Sequence, residues 1–485
     1  MDYATPAAGG LDFSRFYNSV GEFKTDARFA TGWRHSYSRY MDEKPDVRPL
    51  ARFTSPSSEE SSSYKTASDA CTQGFDDIKA AAWGGVVAGA SVSFVGGNVC
   101  KVSQTTGGVS ETVAYFPVRS IAPFGAYAAP AAVKTVTRPN GNAYRFELDG
   151  TNWVSLDPSV TLEQSGSDWI FTGPDDTAET YNASGLLVSI EYRNGQTETL
   201  DYALTAAQGG DDNPDTLDRV TGPFGHVLTF AHDSDGRIES VSTPDGTVSY
   251  AIGDFDNLEM VTYPDSSNRR YVYDAPGLYN HLTGIVDEND ARFATWDYDA
   301  AGRAILSEHA GGSEQVTLAY NGNGTTTLTA ANGANRTYHY SLEQGVRKLQ
   351  QVTGDVCGTC PGGDIAQKSY DGNGFLDEAT DWNGNVTKTA RNSRGLTETL
   401  TEAKGAAEQR VTTTSWHSNF RLPTQVVSPK NTTNYTYDTS GNLTNLSVTD
   451  GVETREWTIT YNLQGQPLTV DGPRAGAVDL TTLEY

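Results

Sequence analysis

The sequence predicts an all-β protein assembled from repeated β-hairpins, and three observations lead there. An aromatic residue, most often tyrosine followed by Asp or Asn and then glycine, returns at intervals of mostly 20 to 30 residues. Asn-Gly and Asp-Gly pairs punctuate runs in which apolar and polar side chains alternate, the pattern of half-buried strands joined by tight turns. Glycine (49) and tyrosine (25) are abundant while methionine (3) is scarce, and aromatics make up 10% of the chain, too many for disorder.

A chain of 485 residues exceeds the size at which one core stops growing, so several units are expected, unless a repeat lets the core extend lengthwise. With 61 acidic against 35 basic residues the formal charge is −26, a field that repels phosphate backbones and argues against nucleic-acid binding. No apolar run is long enough for a membrane-spanning helix. The opening MDYATPAAGG lacks the basic and apolar regions of a signal peptide.

Along the chain, residues 1–40 hold LDFSRFYNS and GWRHSYSRY, two alternating stretches read as lead-in strands. Residues 41–130 read as a small inserted α+β subdomain: a serine-rich loop, a helix in ACTQGFDDIKAAAW, then a hairpin in AGASVSFVGGNVCKVSQ. Residues 131–230 begin the hairpin units, with two-residue turns expected at Asn140-Gly141 and Asp149-Gly150. Residues 231–485 carry the regular repeats, through Tyr485.

Anchors fall at Tyr181, Tyr273, Tyr298, Tyr320, Tyr340, Tyr370, Trp416, Tyr437, Tyr461 and Tyr485, with degenerate copies at 232–250 and 392–400. A lone hairpin is barely stable in water, so each unit must lean on its neighbours. The anchor ring suits the inner face, packed on the next unit with its polar tip finding a partner.

Four cysteines form two sequence-local pairs, Cys71 with Cys100 and Cys357 with Cys360 in CGTC. An even count in such a chain suits two disulfides in an oxidising compartment, with Cys71–Cys100 tying helix to hairpin. Free thiols and a zinc site are the alternatives, although the pairs lie far apart for one metal. A thioredoxin-like role would need a helix after CGTC, and PGGD does not start one.

The units YDAAGRAILSEHAGG, YDGNGFLDEATDWNGNVTK, YDTSGNLTNLSVTDG and YNLQGQPLTVDG resemble the YD repeats of the Rhs (rearrangement hotspot) family. LDFSRFYNS with GWRHSYSRY looks like the N-terminal segment of those proteins. The resemblance covers 1–40 and 131–485 and implies a sheet of hairpins spiralling into a hollow shell. In bacterial members such a shell encloses a C-terminal toxic domain, and related shells occur in insecticidal toxin complexes and teneurins. Many members end in an Asp-Pro-rich cap with a self-cleavage site; here the one Asp-Pro is Asp157-Pro158, far too early. The resemblance therefore implies the N-terminal part of a longer protein, with its own C-terminal effector domain and a secretion machinery as partners.

Chemistry is sparse. His35, His226, His232, His281, His309, His339 and His417 lack metal-ligand spacing, and no nucleophile-elbow, zinc-protease, dinucleotide or phosphate-loop motif occurs. DGNGFLDE (Asp371 to Glu378) fails as a calcium loop because Phe375 stands where a ligand is required. No catalytic residue, metal or cofactor is assigned. The leading expectation is a non-enzymatic, secreted structural shell. A cell-surface module binding glycans through Trp382 and Trp416, or a fibre assembling end to end by strand addition, is the alternative. A glycoside hydrolase comes last, since paired carboxylates leave no trace in so acidic a sequence.

Overall fold

The computed structural model describes residues 2–4, 11–18, 29–42, 90–96, 99–106, 109–117, 133–149, 151–155, 157–202, 216–343, 346–355, 365–474 and 479–485. One antiparallel ladder dominates it. From Tyr40–Asp42 the sheet passes to Val133–Thr137 and Ala143–Asp149, then strand by strand in sequence order to Leu480–Thr482. Among the described residues no pairing joins Leu480–Thr482 to Tyr40–Asp42, so the sheet is open rather than a closed barrel. The first strand does cross to a later turn, where Met41 N–H donates to Gly185 O at 2.9 Å. A Cβ on Gly185, which has φ 82°, would lie 2.1 Å from the Met41 carbonyl oxygen, so only glycine admits this contact.

The turn at Asn140-Gly141 differs from expectation. Arg138 N–H donates to Asn142 O at 2.7 Å and Gly141 N–H returns to Arg138 O at 2.9 Å, with Gly141 at φ 83°. This is the three-residue loop, a type I turn closed by a left-handed glycine, and not the two-residue turn expected at Asn140-Gly141. Asp299 makes the same loop with Gly302: its Oδ1 accepts from Ala301 N–H (3.0 Å) and Arg303 N–H (2.9 Å). Asp371 likewise spends its Oδ1 on Asn373 and Phe375 N–H. The carboxylate thereby organises the backbone, as Asx side chains do in turns.

The anchors have a shared task. Tyr437, at the end of Thr432–Tyr437, pairs with Leu443 at a β-bulge, and Tyr461 of the next unit donates its hydroxyl to Leu443 O at 2.9 Å. The relation recurs. Tyr298 pairs with Ala304 and Tyr320 donates to Ala304 O (2.8 Å); Trp416 pairs with Pro423 and Tyr437 donates to Pro423 O (2.9 Å). A bulge disrupts the ladder locally, and the next anchor supplies a donor to a carbonyl beside that disruption.

The sheet also meets itself. Arg421 binds the Asp176 carboxylate through its backbone N–H (2.6 Å) and its guanidinium (2.9 Å), across 245 residues. Gln196 Nε2 donates to Gln464 O at 2.8 Å, across 268 residues. Turns on the early strands thus abut turns on the late ones, which is how a sheet coiling past a full revolution closes a seam between successive coils.

Between Tyr40–Asp42 and Val133–Thr137 in the chain, Ala90–Gly96, Val99–Thr106 and Val109–Pro117 form a three-stranded antiparallel sheet containing the expected hairpin. Its third strand lies alongside Asn335–Glu343. The expected helix at 70–83, and Cys71, Cys357 and Cys360, lie outside the described residues, as does the side chain of Cys100. Both disulfide expectations therefore fall outside what the structure describes.

Candidate functional site on the inner face

Alternation puts every second side chain of the early strands on one face, and there the N-terminal segment packs. Leu11, Phe13, Phe29, Trp33, Tyr37 and Met41 join one buried cluster with residues from Val136 to Leu282. Burying a large aromatic such as Phe13, wholly excluded from solvent, contributes about 2–3 kcal/mol. The lead-in strands are thus a filling for the first coil, and among the polar contacts that hold them three groups stand out.

At the first, Arg15 pairs with Asp2 and donates to Tyr271 hydroxyl at 2.8 Å, its guanidinium lying 5.3–5.7 Å from the rings of Trp33, Tyr250 and Tyr271. At the second, Trp33 Nε1 donates to the anchor Tyr273 hydroxyl at 2.8 Å, and Tyr17 hydroxyl bridges Asn280 O and Leu282 N–H. Burial pushes the Tyr17 hydroxyl up to about 12 despite the Leu282 N–H.

The third centres on a buried carboxylate. Glu179, 1% exposed, sits between Arg39 of the N-terminal segment and Arg138 of the sheet, and accepts from the anchor Tyr181 hydroxyl at 2.6 Å. Burial raises its carboxyl, but the charge of Arg39 and the hydrogen bond and charge of Arg138 outweigh that and hold it below the usual range. Nearby, Glu198 takes the Tyr192 hydroxyl at 2.5 Å, and here burial prevails: its carboxyl is raised, with Asp12 adding to the rise against Tyr192, Tyr37 and Arg39.

Beyond Ala294 the same face changes character. Among the described residues of the later strands, Leu328, Tyr338 and Val352 form a small buried cluster, with Tyr338 on Asn335–Glu343, the strand that lies alongside Val109–Pro117. Elsewhere Ala379 is buried, while Leu376, Leu400, Val426 and Leu446 on the same face are partly buried. The first coil is filled by the chain itself, and the second is largely unfilled by the described residues.

Of the anchors, Tyr181 is fully buried and Tyr340 lies under Arg347, whose guanidinium is 4.0 Å from the ring. Tyr298 and Tyr370 donate to Leu282 O and Leu349 O at 2.7 and 2.6 Å. Trp416 donates Nε1 to Thr397 O at 2.8 Å. Trp382 is half-buried against the Leu328 cluster, with Arg336 5.2 Å from its ring. Sequence reasoning missed Arg391, which pairs with Thr397 at a bulge and donates to Leu376 O at 2.6 Å, an anchor without an aromatic ring. The Asn392-to-Gly395 loop behind it was the available signal.

A continuous sheet of keyed hairpins, coiled past itself around an inner face, defines a β-repeat shell. Residues 169–358 match the family model of the Teneurin YD-shell. Among solved structures, the Photorhabdus luminescens Tc holotoxin pore with a TccC3 variant shares 9% identity over 79% of this chain and 26% of that one, with a TM-score of 0.46. The TcdB2–TccC3 crystal structure shares 10% over 81% and 25%, with a TM-score of 0.42. The chain spans about a quarter of the length of these solved chains. A search of curated proteins found no match. No helix among the described residues is long and apolar enough to cross a membrane, which leaves β-barrel insertion untouched.

Proposed function

We propose that this chain is the N-terminal portion of a secreted, non-enzymatic shell whose wall encloses a downstream effector domain. The observation that carries the reading is the contrast along one sheet: the N-terminal segment fills the first coil, while much of the inner face of the second is only partly buried. A sheet that coils on itself and leaves apolar positions half-covered on its concave side is built to face an occupant. The filled first coil closes one end. Residues 41–130 act as an inserted subdomain bracing the wall at Asn335–Glu343. Cys71–Cys100 and Cys357–Cys360 close as disulfides after export.

Intact-mass analysis of the native protein from its producing cell, followed by limited proteolysis, tests this. A mass well above 52.1 kDa, with a C-terminal fragment that becomes cleavable only after the wall is opened by denaturant, supports it. A native mass near that of this chain, or a C-terminal region as cleavable before denaturation as after, overturns it.

A further inference from the structure

The tryptophans singled out for glycan binding are both half-buried, and the exposed aromatic surface lies elsewhere. Phe255 and Tyr279 are 59% and 54% exposed, and their rings stack 4.7 Å apart at 9°. Exposing two large rings together loses burial, and exposed apolar surface of this kind marks interaction sites. Phe255 is also held at φ 57°, with Asp256 following at φ 59°, a left-handed conformation that bulky residues adopt only when their surroundings impose it.

The surroundings do impose it. Asn280 Nδ2 donates to Phe255 O at 2.8 Å and Thr31 Oγ1 to the same oxygen at 3.2 Å. Asn257 Nδ2 donates to Tyr279 O at 2.7 Å, and Asn280 and Asn257 are bonded to each other at 3.0 Å. The platform is thereby fixed in advance, which lowers the ordering cost of a ligand.

Beside it opens a cleft of about 430 Å³ lined by Asp254, Phe255, Asn257, Glu259, Arg270 and Tyr279, among others. The Glu259 and Asp254 carboxylates make no side-chain hydrogen bond or ion pair with any described residue. Arg270 pairs with Asp290 and brings donors. Apolar surface with a few placed polar groups is the make-up of a small-molecule site.

We propose that this cleft binds a neutral pyranose sugar, one ring stacking on the Phe255–Tyr279 platform. A pyranose presents an apolar C–H face to an aromatic ring, while its rim hydroxyls donate to Glu259 and Asp254 and accept from Arg270. An anionic sugar is repelled by the two carboxylates and the −26 charge of the chain. An organic cation fits less well, because cation cages surround the charge with several ring faces, whereas these rings stack into one surface beside an arginine.

The test is saturation-transfer NMR on the full chain with cellotriose, maltotriose and chitotriose, and choline as the competing probe. Phe255→Gly removes the ring and suits the left-handed backbone, so its melting should match the parent. The expected result is enhancement at the ring C–H protons of at least one trisaccharide, falling about tenfold in Phe255→Gly and Tyr279→Ala and partly in Glu259→Gln. No signal from any trisaccharide, an undiminished signal in Phe255→Gly, or choline binding in preference to all three would overturn the assignment.

Discussion

Arg421 grips Asp176 with backbone and guanidinium together, at 2.6 and 2.9 Å, and both side chains are more than nine-tenths buried. The contact joins two coils of one sheet, so it carries information about coiling that no strand pairing holds. Asp176→Asn keeps a residue that tolerates φ 64° while removing the charge. Leaving Arg421 uncompensated should cost about 3 kcal/mol, read as a lowered urea midpoint. Adding Arg421→Met should recover part of the loss, and a strictly additive double variant would mean the seam is not a coupled contact.

Glu179 ties the N-terminal segment to the wall through Arg39, Arg138 and Tyr181. Glu179→Gln should destabilise by about 3 kcal/mol, because two guanidinium groups lose their shared carboxylate. Its folded carboxyl is depressed, so its contribution is full above the unfolded carboxylate range and is lost as pH falls through the folded value. The variant should therefore lose less stability between neutral pH and strong acid than the parent does, a difference measurable by thermal melts across that range.

Glu198 has the opposite sign. Its carboxyl is raised, so its contribution is present below the unfolded value and disappears as pH rises through the folded one. Glu198→Gln keeps an acceptor for Tyr192 and carries no charge. Around neutral pH it should melt at or above the parent temperature, and the gain should vanish in mild acid. A variant that melts lower at every pH would show that the ionised carboxylate is needed for packing.

The anchors predict a graded series. Tyr437→Phe removes one hydrogen bond to Pro423 O and should cost about 1 kcal/mol. Tyr437→Ala also loses the ring and should cost about 3 kcal/mol. Arg391→Met, which keeps length but loses the donor to Leu376 O, should resemble the phenylalanine variant despite its different chemistry. Urea titrations of the three variants rank them.

Much of this was legible in the sequence because hairpins are local. Tyr-Asx-x-x-Gly marks an anchor, a bulge and a loop within a few residues, and the alternation in LDFSRFYNS and GWRHSYSRY marked strands that do form, at Asp12–Phe13, Arg15–Tyr17 and Trp33–His35. The loop type was not legible, since a left-handed glycine serves two- and three-residue turns alike. Arg391 escaped because the shared requirement is a long side chain ending in a donor, of which tyrosine is the commonest case. Glu179 carries no local signal, because its partners arrive from positions 39 and 138. The seam was invisible for the same reason, magnified: nothing near Asp176 announces Arg421.

The seam also sets a clock. Each strand of the ladder finds its partner in the one synthesised just before it, so the sheet can lengthen in step with the ribosome. The rim at Asp176 has to wait for Arg421, 245 residues later, which at ordinary synthesis rates is roughly 12–50 s. Through that interval the newest strand is an unpaired edge, the kind of surface that recruits neighbours on a crowded polysome. The surplus of acid along the chain then acts in time rather than in space, keeping nascent copies apart until each wall has come round to meet itself.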